Sequence, residues 1–229
     1  MTELSKVREK AEPKKSHHPK YLAHHFKNML QQTNSGKLGM WVFMAQEVLF
    51  FSGLFCAYAY MRFMYPDMVL EAQKSMDWII GGMNTIILLV SSLTMSLCVR
   101  SVRVNDNSKA KLFLIITFIL GFIFIGIKGS EWAHHMSEGY LPGKFFKPIP
   151  GAEIQNPLAH IFFGMYYVMT GMHALHVIVG LSLMIWIFLR LKRNELNSEN
   201  YVGLENTSLF WHFVDIVWVY LYPILYLVK

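Results

Sequence analysis

Charge is scarce in this chain. Asp, Glu, Lys and Arg make up 16% of its 229 residues and hydrophobic residues 54%, against about a quarter charged in a soluble domain. That balance excludes a soluble globular class. Cysteine is nearly absent. Cys56 and Cys98 are the only two, and both sit inside apolar runs, which excludes a disulfide framework. Residues 1–37 contain no apolar leader, so no cleaved signal peptide is expected and the first span is expected to act as its own insertion signal. No internal repeat is evident, which weighs against an inverted-repeat transporter. The net charge of +6 implies no nucleic-acid partner, because in a membrane chain the position of charge matters more than its sum.

What the chain has instead is long apolar runs. Five transmembrane helices are expected, at about 38–61, 78–99, 112–132, 158–189 and 208–228. The predicted class is an all-α integral membrane protein, with a basic tail over 1–37 and a five-helix bundle over 38–229. Lys and Arg sort by side. Eight in the tail (Lys6 to Lys37), four in the 2–3 loop and three after span 4 make fifteen on one side, against six on the other. The positive-inside rule then places the N-terminus in the cytoplasm and the C-terminus outside. His17-His18 and His24-His25 in the tail read as part of a solvated basic segment near anionic lipid, with metal binding as the alternative. The Gly- and Pro-rich segment from Ser137 to Pro157 reads as an ordered outer loop.

The polar residues within the apolar runs are the candidate site. Ionisable groups at membrane depth are costly and persist where protein or water pairs them. Glu47 lies nine residues into span 1, roughly 13–14 Å from its start. His173 and His176 lie in span 4, on a stripe with Met169 and Gly180. His212 and Asp215 lie in span 5 at i, i+3, flanked by Trp211 and Trp218. The five groups fall near the middle or in the cytoplasmic half, which predicts mutual pairing. Three readings stay open. One is helix–helix glue, with Gly164, Gly171 and Ala174 permitting close approach. Another is a proton-accessible or partner-facing layer. The third is haem or metal ligation, for which His173 and His176 share a helix and cannot bracket one haem. Glu47 is expected to be protonated or paired with a span-4 histidine. The hydroxyls and amide of span 2 (Asn84, Thr85, Ser91, Ser92, Thr94, Ser96) are expected to bond their own backbone or a neighbouring helix. Lys128 and Glu131, at i, i+3, are expected to pair at the outer interface, with the lysine snorkelling. Glu131, His134 and His135 offer zinc-type ligands at weak spacing.

At these residues the chain resembles the cytochrome c oxidase subunit III family of haem–copper respiratory oxidases. Gly39 to Gly53, with Glu47 followed by aromatics, is similar to the family's buried-glutamate helix. Met83 to Ser92 resembles its Asn-Thr, Leu-Leu, Ser-Ser segment. Lys128-Gly129-Ser130-Glu131-Trp132 resembles a Gln-x-x-Glu-Tyr pattern, with Lys128 replacing the glutamine and Trp132 the tyrosine. Thr170 to Gly180, carrying His173 and His176, and Trp211 to Trp218, carrying His212 and Asp215, complete five motifs in the family's order. The seven-span form has two further helices, one arm of a lipid-holding cleft, ahead of the five seen here.

The resemblance implies a subunit without catalytic residues, haem, copper or other metal of its own. It would pack beside catalytic subunit I, which carries haem and copper, with subunit II in the same complex. Its implied role is to stabilise subunit I, hold interfacial phospholipid and sustain cytoplasmic-side proton uptake, in a bacterial-type cytoplasmic membrane. Arg190 aligns with a family arginine that approaches lipid head groups. Alternatives are a five-span member serving a quinol oxidase or a nitric-oxide reductase, or an autonomous proton or ion carrier, which would need a continuous polar path.

Overall fold

A computed structural model describes residues 26–149, 151, 154, 156–198 and 200–228. Most of the basic tail, with its paired histidines, lies outside the described residues, as does Lys229. The fold is helical, with no strand among the described residues.

Helix α1 runs Met29–Met64, the short α2 Pro66–Ala72, α3 Trp78–Arg103, α4 Asn107–Ser137, α5 Ala159–Lys192 and α6 Val202–Tyr222. A π turn, Pro223–Leu227, extends α6. The five long helices are each long and apolar enough to cross a bilayer, as expected. Each begins earlier, ends later, or both, because polar residues at the ends remain helical. The largest difference is at α1. The helix starts at Met29, not near residue 38, because the Asn28 side chain accepts from Gln31 N–H at 2.8 Å and caps it. Asp77 caps α3 in the same way, accepting from Ile79 N–H at 2.8 Å. Tyr65-Pro66 ends α1, since proline restricts the residue before it and cannot continue the ladder.

Helices α3 and α4 form a hairpin joined by Val104-Asn105-Asp106 alone. Asn105 takes a left-handed conformation (φ 59°), which asparagine tolerates better than most residues. Asp106 then caps α4, accepting from Lys109 N–H at 3.1 Å. Thr94 and Thr117 share a 2.8 Å hydrogen bond across the hairpin.

Helix α6 is the hub, packed against α1, α3 and α5. Trp211 and Trp218 are fully buried. Their indole N–H groups donate to Ser91 (3.0 Å) and Thr85 (3.1 Å) of α3. The Trp211 ring needs the missing side chains of Gly121 and Gly180. A Cβ at either would lie within 2.8 Å of it. The expected close-approach glycines are different ones: Gly164 and Gly171 have neighbours only at 3.8 and 3.9 Å. Aromatic rings, not facing helix backbones, set the tight helical spots, with Tyr222 doing at Gly81 (2.8 Å) what Trp211 does at the other two.

The segment expected as an ordered outer loop lies partly outside the described residues; its described part is tied down by hydrogen bonds and burial. Lys147 N–H donates to Gly139 O at 3.0 Å, and Tyr140 and Ile154 are fully buried. Gly139 (φ +83°) has the Lys147 carbonyl 2.0 Å from where a Cβ would sit, so only glycine fits. The short α2, not foreseen in the sequence, buries Met68, Val69 and Ala72 and packs on α5.

Candidate functional site

The five groups predicted to form one layer divide into separate arrangements. Glu47 and His176 pair directly, Oε2 to Nε2 at 3.0 Å. His176 Nδ1 lies 2.7 Å from the Met172 carbonyl. A carbonyl only accepts, so Nδ1 carries a hydrogen. The Nε2–Oε2 contact then needs a proton of its own, on the acid or on the imidazole. The pair therefore holds one shared proton and is net neutral in either form. Phe50, Phe51 and Phe210 surround the imidazole, with ring centroids 5.1 to 6.3 Å away. The side chains keep 12% and 14% exposure, so the shared proton is not sealed off.

His212 sits among serines. Ser92 Oγ lies 2.5 Å from its Nδ1, and Ser208 and Ser96 lie 3.0 and 3.2 Å from its Nε2. Ser96 donates to the Ser92 carbonyl at 3.1 Å. Its contact with Nε2 therefore places the ring proton on Nε2, and Nδ1 accepts from Ser92. His173 makes no hydrogen bond. Its buried ring packs edge-on against Phe124 (5.5 Å) and tilted against Trp218 (5.2 Å). Asp215 is buried beside Ser92, and with that hydroxyl turned to His212 neither carboxyl oxygen has a hydrogen bond within 3.5 Å. His173 and His212 thus face different neighbours and do not converge on a common ligand.

The most heavily bonded site lies elsewhere. Lys128 Nζ donates to Glu131 Oε1 (3.0 Å), Tyr226 OH (2.6 Å) and Tyr166 OH (3.3 Å). Tyr166 (2.6 Å) and Tyr226 donate in turn to the same Glu131 oxygen. The ammonium also lies 4.9 Å from the Trp218 ring centroid, a cation–π distance. Lys128 and Glu131 are 3% and 9% exposed. The pairing was expected; the snorkelling lysine was not what formed. All three ammonium protons find oxygen acceptors inside the bundle, so the side chain turns inward. His134 and His135 do not join it as a ligand set. His134 is exposed and faces Glu138 at 3.6 Å, whereas His135 is buried 4.0 Å from Glu131.

Glu47 thus sits in an aromatic helix facing a His-x-x-His segment, and the polar interior of α3 meets a Trp-His-x-x-Asp helix. The sequence profile described as cytochrome c oxidase subunit III matches residues 18–146 and 156–229. The chain belongs to the cytochrome c oxidase subunit III family. Cytochrome c oxidase subunit 3 of Synechocystis sp. is 30% identical over 190 residues, covering 82% of this chain and 74% of the relative. Quinol oxidase subunit 3 of Bacillus spizizenii is 28% identical over 207 residues, covering 87% and 91%. Cytochrome c oxidase subunit 3 of Thermostichus vulcanus is 29% identical over 191 residues, covering 83% and 86%. The likeness read from five short motifs thus extends over nearly the whole chain.

Within this subunit III fold, Arg190 stands at the end of α5. Its guanidinium lies 4.9 Å from the Trp186 ring and its Nε donates to Glu195 at 3.3 Å. It lines a cavity of about 550 Å³ with Gln32, Thr33, Ser35 and Asn206. Nearby, Glu205 ties three helices, bonded to Lys37 (3.2 Å) and Arg103 (2.7 Å).

Residues that sequence reasoning missed are the partners. Tyr166 and Tyr226 complete the Lys128 cluster, and Ser208 completes the His212 cage. Tyr166 had a signal, since it continues the Met169–His173 stripe by one turn. Tyr226 had none, because it follows Pro223, where a regular helix is expected to falter.

Proposed function

We propose that this chain is the non-catalytic third subunit of a respiratory haem–copper oxidase, seated in a bacterial-type cytoplasmic membrane with its N-terminus inside. It packs beside catalytic subunit I, with subunit II in the same complex, and haem and copper belong to those partners. The family match across both halves of the chain carries this reading. The bonding inside the bundle supports it, since the buried ion pair and both tryptophans are used to join helices.

Two roles follow from the site. The Glu47–His176 pair holds one proton, keeps some exposure, and lies where α1 meets the bundle, as a proton-uptake group serving a neighbouring subunit would. The polar cavity beside Arg190 suits a phospholipid phosphate, which a guanidinium binds through two parallel hydrogen bonds. The electron donor is open to a second reading. The match to Bacillus spizizenii quinol oxidase subunit 3 spans 91% of that relative, so service in a quinol oxidase stands beside service in a cytochrome c oxidase.

Purification in mild detergent tests the proposal. The chain is expected to co-purify with a larger haem-bearing subunit, whose electron donor in turnover assays separates the two readings. A chain that purifies alone with stoichiometric haem would overturn it.

A further inference from the structure

Several of the buried polar atoms without partners lie on the four helices that meet at Trp218. Along α6, Ser208, His212, Asp215 and Trp218 follow at i, i+4, i+7 and i+10, one face of a helix. At Trp218 four helices meet. Its indole donates to Thr85 of α3, His173 of α5 lies 5.2 Å from its ring, and Lys128 of α4 lies 4.9 Å from it. Asn84, next to Thr85, is fully buried. Helix α4 carries the line on through Lys128, Glu131 and His135. At 1.5 Å per residue the two stretches cover roughly 25 Å, close to the ~30 Å of a hydrocarbon core.

Among the described residues, both carboxyl oxygens of Asp215, both ring nitrogens of His173 and of His135, both amide atoms of Asn84, and Glu131 Oε2 have no hydrogen-bond partner. Each of these residues is at least nine-tenths buried. Buried groups of this kind are satisfied by ordered water, each molecule making two to four bonds. His135 Nε2 and Glu131 Oε1 stand 4.0 Å apart, too far for a direct bond and right for a water-bridged one.

We propose that these groups hold internal water, forming a hydrated polar column through the bundle, and that the Lys128 ammonium closes the column to protons and cations. Carboxyls, imidazoles and water together pass protons readily, so a membrane subunit built this way would leak without a barrier. A fixed positive charge in a narrow polar passage supplies one. A proton arriving from the Asp215 side meets the ammonium above Trp218 before it reaches Glu131. One arriving from the His135 side is held at Glu131, with the ammonium still ahead. Tyr166 and Tyr226 keep the ammonium from swinging aside. The inference needs the membrane span but not the identity of the oxidase.

The test uses the purified complex in liposomes with a pH-sensitive dye inside and an imposed potassium diffusion potential. Lys128→Met combined with Glu131→Gln removes the charge without stranding a carboxylate. Passive proton entry is expected to rise several-fold over wild type. Lys128→Arg is expected to leak as wild type does. Adding Asp215→Leu to the double variant is expected to return the leak toward wild type. A double variant that assembles fully and leaks at the wild-type rate overturns the barrier, and so does a leak that Asp215→Leu leaves untouched. Radiolytic hydroxyl-radical footprinting of the wild-type complex tests the water independently of any variant's folding. Trp218 and Tyr226, though fully buried, are expected to be oxidised by water held beside them. Their complete protection, while exposed Tyr60 is oxidised, overturns the column.

Discussion

Two glutamates in this chain face basic partners, and they differ in almost everything else. Glu131 sits where α4, α5 and the turn after α6 converge, with one oxygen accepting from Lys128, Tyr166 and Tyr226. Glu47 sits on α1, whose apolar stretch is 6% buried, against 56% for α6, and it has one partner, His176. The first arrangement fixes two full charges in place with several hydrogen bonds. The second holds a single proton between two groups at a loosely covered seam. The same residue type is thus structural in one setting and reachable in the other, and local packing makes the difference.

The contrast is broken most decisively by removing one charge. Lys128→Met alone leaves Glu131 buried beside two tyrosines. Stranding one partner of a buried ion pair costs about 3–5 kcal/mol. A large loss of thermal stability in detergent is expected, read by the unfolding midpoint of the purified complex. The Lys128→Met, Glu131→Gln double variant is expected to recover most of it, since neutral replacement of both partners is far cheaper. Equal loss in the single and double variants would mean that packing, not charge, holds this region.

Packing itself gives the next effect. Gly180→Leu drives a side chain into the Trp211 ring, where even a Cβ would lie 2.7 Å away. Overpacking of this kind costs about 1–3 kcal/mol. Gly53→Leu on α1, with nothing within 4 Å of a Cβ, is expected to leave the unfolding midpoint unchanged. A drop there would show that a partner chain covers α1.

A smaller stability effect is expected at the seam, with a clear chemical readout. Glu47→Leu removes one hydrogen-bonded contact, about 0.5–1.5 kcal/mol. Carbodiimide treatment of the intact complex is expected to modify Glu47 and to spare Glu131, as measured by peptide mass spectrometry. Labelling of both at similar rates would erase the distinction between a sealed acid and an accessible one.

The smallest effect belongs to an acid in water. Asp106 is partly exposed, and its carboxyl is held below the ordinary aspartate range, first by the Lys109 side chain and then by backbone N–H groups. A depressed folded-state value contributes stability above the ordinary aspartate pKa and loses it as pH falls through the lowered value. The unfolding midpoints of wild type and Asp106→Ala are therefore expected to differ slightly at neutral pH and to converge in acid.

Much of this was legible in the residues. Long apolar runs give spans because length alone decides whether a helix crosses a bilayer. The Lys128–Glu131 pair and a Glu47 contact with span 4 followed from spacing and the cost of a lone charge. The inward turn of Lys128 was not legible, because its acceptors Tyr166 and Tyr226 lie 38 and 98 residues away. Depth along a helix was readable, but its azimuth was not. Glu47 and His176 face each other, whereas His212 turns to the serines around it and Asp215 joins neither group. The tight glycines also escaped, since Gly121 and Gly180 matter chiefly through a tryptophan on another helix.

The three-residue link between α3 and α4 has a consequence for how the chain is made. With no slack between two membrane-length helices, they cannot wait for one another at different stages of insertion. They are expected to enter the bilayer as a single folded pin. The Thr94–Thr117 hydrogen bond closes as they do, so those hydroxyls already have a partner when lipid surrounds the pair. Lengthening the Val104–Asp106 link would uncouple those events. Its cost would then fall on biogenesis, as lower yield and faster quality-control degradation, while molecules that did mature would be built like the parent.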